Sequence, residues 1–161
     1  MKTIHICFLL LWCFTFYALT PIPIISNMSP TKIKITIGNK IFTATLENNK
    51  TAVAFKSSLP LTIKMIELNG NEKYGELSNL LPTGSKNPEK IPIKLTSTEL
   101  LSTKYDEIEV GDLMLYGNQT LVLFYKSFTT LYAYTKIGRI DDIEGLSRAL
   151  GLGDVTIAID Y

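Results

Sequence analysis

The chain has 161 residues, 46% of them apolar, with 16 Lys and Arg against 15 Asp and Glu. That length is one domain plus a short extension, enough to bury a core without cross-links. The near-neutral, scattered charge gives no electrostatic reason to bind nucleic acid, and two arginines alone, Arg139 and Arg148, disfavour dense phosphate recognition.

Residues 1–30 stand apart. Lys2 and His5 precede an apolar run from Ile6 to Leu19, and no Asp, Glu, Lys or Arg occurs between Thr3 and Thr31. A basic start followed by an apolar run fits a secretory signal peptide ending near Ser26. The run also lies at the lower limit of a membrane span, so an uncleaved N-terminal anchor is the alternative. Pro21 and Pro23 would end its helix near Thr20. Either way the expected location is extracytoplasmic, periplasmic or secreted, with membrane contact only through residues 1–26. Residues 27–31 then form a linker and 32–161 the domain. Lipid attachment at Cys13 is opposed by bulky Trp12 just before it. Cys7, Cys13 and His5 all lie in this segment, so the domain carries neither cysteine nor histidine. Disulfides, thiolate nucleophiles, imidazole or thiolate zinc sites and His-based triads are thereby excluded from it. Without Lys2, the rest holds fifteen residues of each charge sign.

Lys32 to Ile37 alternates polar and apolar residues, the pattern of a half-buried strand. Gly38-Asn39 is a hairpin-turn signal, and Lys40 to Leu46 returns as the partner strand. Asn48 or Asn49 can cap a helix in which Ala52, Phe55 and Leu59 recur at helical spacing until Pro60 stops it. Leu61 to Leu68 reads as another strand. Residues 69–90, rich in Asn, Gly, Ser and Pro, are expected to form a long surface loop, tacked down by Tyr74, Leu77, Leu80 and Leu81. Ile91 to Leu95 reads as a short edge strand because Pro92 cannot donate to a ladder, and Ser97 to Leu101 as a helical turn.

Leu113–Tyr116 and Leu121–Tyr125 form two strands around Gly117-Asn118, apolar on both parities and so covered on both faces. Leu131 to Ile137 reads as a further strand. Asp141 with Glu144 forms a capping signature for a helix whose apolar stripe is Ile143, Leu146 and Leu150. Arg148 falls in its last turn, and Gly151 ends it. Asp154 to Asp160 closes the chain as a strand. About eight strands and two short helices, without a βαβ rhythm, indicate a mainly β antiparallel barrel or sandwich with helices at its ends.

Several groups could carry chemistry. Asp106, Glu107, Glu109 and Asp112 form an acidic cluster suited to a hard cation or to acid–base work, or simply to a solvated strand entry. Asp141, Asp142 and Glu144 have capping and the helix dipole as reasons to be there. Gly151-x-Gly153 follows a helix instead of opening one, so it reads as a helix exit and not a phosphate loop. The triplets at Asn27, Asn49 and Asn118 match the N-glycosylation pattern, though Asn49 and Asn118 also sit where asparagine has backbone roles. Tyr116, Phe124, Tyr125, Phe128, Tyr132 and Tyr134 crowd into a short stretch. They are packing residues or the lining of an apolar groove with a polar rim.

Val110-Gly111-Asp112-Leu113-Met114-Leu115-Tyr116-Gly117-Asn118, then Leu121 to Tyr125, then Ile137-Gly138-Arg139-Ile140, resembles the bacterial cyclophilin-like domain family. Its pattern is a Gly-Asp strand, a Gly-Asn turn, an apolar strand with aromatics and a Gly-Arg-Ile before a helix. Leu68 to Gly75 is also typical of that family, and the resemblance spans about residues 32 to 160. It implies a closed eight-stranded cyclophilin-like barrel with two short capping helices, one over each end. True cyclophilins are peptidyl-prolyl isomerases, and by resemblance Phe124 or Val122 corresponds to the aromatic wall of their proline pocket. Their Phe-His-Arg-like strand around the catalytic arginine is missing, since Leu61 to Leu68 contains no arginine. The domain also lacks their tryptophan and histidine, and Arg139 occupies a position that is not catalytic in them. The resemblance therefore implies the fold without the isomerase site.

The expected function is an exported, non-catalytic module for a peptide or small molecule, with no cofactor and no metal. Its groove candidates are Tyr116, Phe124, Tyr125, Lys126, Tyr134 and Arg139. The alternative is a divergent, weak prolyl isomerase using Lys126 or Arg139 as its electrophile. A carboxylate-dependent hydrolase or lyase around Glu107 to Asp112 is the third reading. The resemblance also suggests a functional link to flavodoxin-like proteins.

Overall fold

Residues 30–84 and 106–161 are described by the computed structural model. The alternation of Lys32–Ile37 (β1) buries Ile33, Ile35 and Ile37 and exposes Lys32 and Lys34. Gly38 takes a φ of 58°, as the first position of this two-residue turn requires, and β2 (Lys40–Leu46) returns antiparallel. Asn49 caps α1 (Lys50–Ser57): its Oδ1 accepts the Ala52 N–H at 2.8 Å, and its Nδ2 donates to the Lys136 carbonyl at 2.8 Å. The cap thus fixes the helix start and ties it to the sheet.

The other strands are β3 (Leu61–Leu68), β4 (Glu72–Glu76), β5 (Asp106–Ile108), β6 (Asp112–Tyr116), β7 (Thr120–Phe124), β8 (Phe128–Thr130), β9 (Tyr134–Ile140) and β10 (Val155–Asp160), with α2 (Leu146–Leu150) before the last. Eight of them close an antiparallel barrel in the order β1-β10-β3-β4-β7-β6-β9-β2, while β5 and β8 pair as a separate two-stranded sheet. Because β2 and β9 run antiparallel, α1 after β2 and α2 after β9 lie over opposite mouths. Ala52 and Phe55 of α1, and Leu146 and Leu150 of α2, join the barrel core. Among the described residues no helix is long and apolar enough to cross a membrane.

Strands β6 and β7 are buried on both faces, as their unbroken apolar runs predict. Leu113, Leu115, Leu121 and Leu123 point into the barrel. Met114, Val122 and Phe124 point outward into a second cluster, under Ile108 and Phe128 of the β5–β8 sheet.

Three expectations are corrected. The predicted surface loop of 69–90 contains barrel strand β4, reached by a tight turn in which Asn69 and Gly70 have φ of 56° and 68°. Its sequence hid it, because the inward positions of Glu-Lys-Tyr-Gly-Glu are Lys73 and Gly75. Lys73 is fully buried, and a Cβ at Gly75 would lie 2.6 Å from the Lys64 carbonyl oxygen. Leu77 and Leu81 do anchor the loop that follows, but Leu80 is exposed. Secondly, the strand read at Leu131 to Ile137 starts three residues later and runs on to Ile140. β8 ends at Thr130, whose Oγ1 accepts the Tyr132 N–H at 3.1 Å in a turn, and β9 starts at Tyr134. Thirdly, Asp141 caps no helix. It accepts from Thr45 Oγ1 and pairs with Lys32 Nζ at 2.9 Å, while α2 begins after Gly145, at φ 78°. The Gly151 helix stop stands, with φ 64° and an N–H donated to the Ser147 carbonyl. The expected export or anchor segment, the strand at Ile91 to Leu95 and the turn at Ser97 to Leu101 lie outside the described residues.

Candidate functional site

The outer face of β4, β7, β6 and β9 carries a cleft. Cross-strand register builds it. Glu76, Thr120, Tyr116 and Tyr134 form one row across the four strands, and Tyr74 stands opposite Val122 in the next. Tyr132 joins them from the β8–β9 turn. The cleft has a volume of about 370 Å³ and includes Glu72, Tyr74, Tyr116, Val122, Tyr132 and Tyr134 in its lining.

The Tyr116 ring meets Tyr132 edge-on, with centroids 6.1 Å apart, and Tyr134 at a tilt, 5.5 Å away. Tyr134 rests edge-to-face on Phe124 at 5.3 Å, and Phe124 on Phe128 at 5.5 Å. Such offset and edge-on contacts hold the rings in place. Phe124 is fully buried, whereas Tyr116 is 37% and Tyr132 62% exposed, so the wall opens to solvent over a packed floor. Burial, then the charge of Glu72, holds the Tyr134 hydroxyl well above the usual phenol range. Glu72 is itself buried, and burial followed by the charge of Glu67 holds its carboxyl above the usual range.

The six predicted groove residues fall in three places. Tyr116 and Tyr134 line the cleft, and Phe124 supports it from beneath. Tyr125 and Lys126 line a different hollow of about 720 Å³, between Gly70 and the α2 end at Arg148 and Leu152. There the Tyr125 hydroxyl donates to Glu67 at 2.8 Å, and burial with that bond pushes its pKa up to about 12. Lys73, beneath it, donates to Glu67, to the Gly151 carbonyl at 3.0 Å and to the Gly153 carbonyl at 2.7 Å. Its ammonium lies 5.4 Å from the Tyr125 ring centroid. The Gly151-x-Gly153 helix exit therefore serves as an acceptor for a buried cation.

Arg139 lies in neither place. It pairs with Glu109 and stands 3.9 Å from Asp112 Oδ1. Buried Asp112 also pairs with Lys136 at 2.8 Å and accepts the Glu109 N–H at 3.0 Å. Burial raises its carboxyl, only partly offset by Lys136. The acidic cluster is thus divided: Glu107 faces solvent, and Glu109 and Asp112 are each held by a cation. Glu72 and Tyr74 belong to the cleft and are absent from the sequence-based site readings, whereas Tyr132, named in the aromatic group, is missing only from the six groove candidates. The signal for Glu72 and Tyr74 was the parity of β4, legible only once that stretch is known to be a strand.

The sequence profile of the cyclophilin-like family matches residues 35–94 and 91–160. No match was found among curated protein sequences. The solution structure of a hypothetical protein from Archaeoglobus fulgidus is similar, with a TM-score of 0.47 and 15% identity over 81% of this chain and 94% of that one. With the profile matching nearly all of the domain, the chain belongs to the cyclophilin-like family.

Proposed function

We propose that this protein is an exported, non-catalytic binding module whose peptide or small-molecule ligand seats in the tyrosine cleft. The observation that carries the reading is the cleft itself: three tyrosines from β6, β9 and the β8–β9 turn, partly exposed over a buried aromatic floor. Apolar walls with a few polar groups at the rim suit a small ligand or an extended chain. The two cations offered for an isomerase, Arg139 and Lys126, lie outside the cleft. Arg139 is committed to Glu109 and Asp112, and Lys126 borders the other hollow. Export rests on the apolar run of Ile6 to Leu19.

The test has two arms, both on the full-length protein. A mixed set of small fragments and short peptides is screened by NMR, following the tyrosine ring signals. Hits should move Tyr116, Tyr132 and Tyr134 together. A proline-peptide isomerisation assay should show no rate enhancement. Turnover in that assay, or hits confined to other surfaces, would overturn the reading.

A further inference from the structure

The cleft contains a carboxylate that no group among the described residues matches. Glu72 is 6% exposed and lies opposite Phe124 across β4 and β7, on the outward parity. Among the described residues it has no hydrogen-bond donor and no ion-pair partner. The other buried charges are matched: Lys73 by Glu67, and Asp112 by Lys136. Among the described residues, the charged and titratable groups around Glu72 are Glu67 on β3, Tyr74 and Glu76 on its own strand, Tyr116 on β6, Tyr125 just after β7, Tyr132 in the β8–β9 turn and Tyr134 on β9. These are acids or phenols, and the neighbouring cation, Lys73, is bound by Glu67. Glu76 adds a second carboxylate at the rim, where it accepts from Thr120.

We propose that the cleft binds an organic ammonium group, with Glu72 as its counter-ion and the rings of Tyr116, Tyr132 and Tyr134 as its walls. This rests on the binding-module reading and adds the chemistry of the ligand. A neutral occupant would leave a carboxylate buried without a partner, which is costly. A positive one supplies the missing charge and relieves the repulsion from Glu67. Aromatic faces favour weakly hydrated cations, the recognition mode of choline and methylated lysine. A small, strongly hydrated metal ion would instead need several converging oxygens, and no group of three or more metal-binding side chains occurs among the described residues.

The probes are choline and its uncharged carbon isostere, neohexanol, titrated into the full-length protein by calorimetry and by NMR of the tyrosine rings. Choline should bind at least about tenfold more tightly than neohexanol, the ratio expected of a partly desolvated cation–π and ion-pair site. Glu72→Gln, isosteric and uncharged, should remove that preference and retain neohexanol binding. A short peptide bearing one trimethyllysine, compared with free choline, distinguishes the two sources of the group, and tighter binding of either supports the proposal. Equal affinity for choline and neohexanol, or a preference that survives Glu72→Gln, would overturn it while leaving the cleft as a binding site. If neither these probes nor the fragment set moves the tyrosine signals, the binding-module reading fails with it.

Discussion

Replacing Lys73 by methionine should destabilise the barrel by about 3 kcal/mol, the usual effect of removing one member of a buried charge network. Lys73 is fully buried and donates to Glu67, Gly151 and Gly153, which joins β4 to β3 and to the α2 exit. Methionine keeps the aliphatic stem and removes the donors, so the loss is polar and not a cavity. Two carbonyl oxygens lose their donor, and Glu67 retains only the Tyr125 hydroxyl and the Gly70 N–H. For a domain of about 130 residues, 3 kcal/mol corresponds to a Tm lower by about 10 °C. Urea denaturation of Lys73→Met, Glu67→Gln and the double variant measures both the loss and its coupling. Burial raises the Glu67 carboxyl, but the bonds from Lys73, Tyr125 and Gly70 outweigh it and hold the group below its usual range. The stabilisation is therefore complete above the unfolded carboxylate range and is lost as pH falls through the folded pKa. Lys73→Met should flatten that acid-side decline. A loss under about 1 kcal/mol, or strict additivity with Glu67→Gln, would refute the network.

Other outcomes follow from single positions. A Cβ at Gly138 would lie 2.5 Å from the Thr45 carbonyl oxygen, so Gly138→Ala should cost about 2 kcal/mol or more in urea unfolding, and a loss under about 0.5 kcal/mol would contradict the β2–β9 approach. Burial and Glu67 raise the Glu72 carboxyl, so the folded state holds its proton more tightly and loses stability as pH rises through and above the usual carboxylate range. Glu72→Gln should consequently raise the neutral-pH Tm by a few degrees, about 1 kcal/mol, and an unchanged or lower Tm would count against an unmatched charge. Fractionation of expressing cells followed by N-terminal sequencing should find the protein outside the cytoplasm, either starting near Asn27 or retained in the membrane. Soluble cytoplasmic protein beginning at Met1 would refute export.

Where hydrophobic periodicity reported on burial, the sequence was a good guide. β1 alternates and β6 and β7 do not, and the structure gives one covered face to the first and two to the others. Asn49 starts its helix and Gly151 ends its own as local chemistry demands. Legibility failed where charge went inside. Lys73 and Glu72 made β4 resemble a loop, and with β4 misread the cleft lost a wall. Asp141 spelled a helix cap but was taken by Lys32 and Thr45, residues distant in sequence. The aromatic crowd was visible as a group, yet its division was not. Tyr125 immediately follows β7 and leads to Glu67, while Phe124, one residue earlier, points to the opposite face.

The affinity of the Tyr132→Ala variant for choline tests the cleft most directly. Tyr132 is largely exposed at a turn, so its removal should leave the Tm within about 2 °C of the parent. The account predicts that choline binding weakens about tenfold, with the ligand-induced shifts of the Tyr116 and Tyr134 rings reduced in parallel. Undiminished affinity, with those ring signals responding as in the parent, would contradict it.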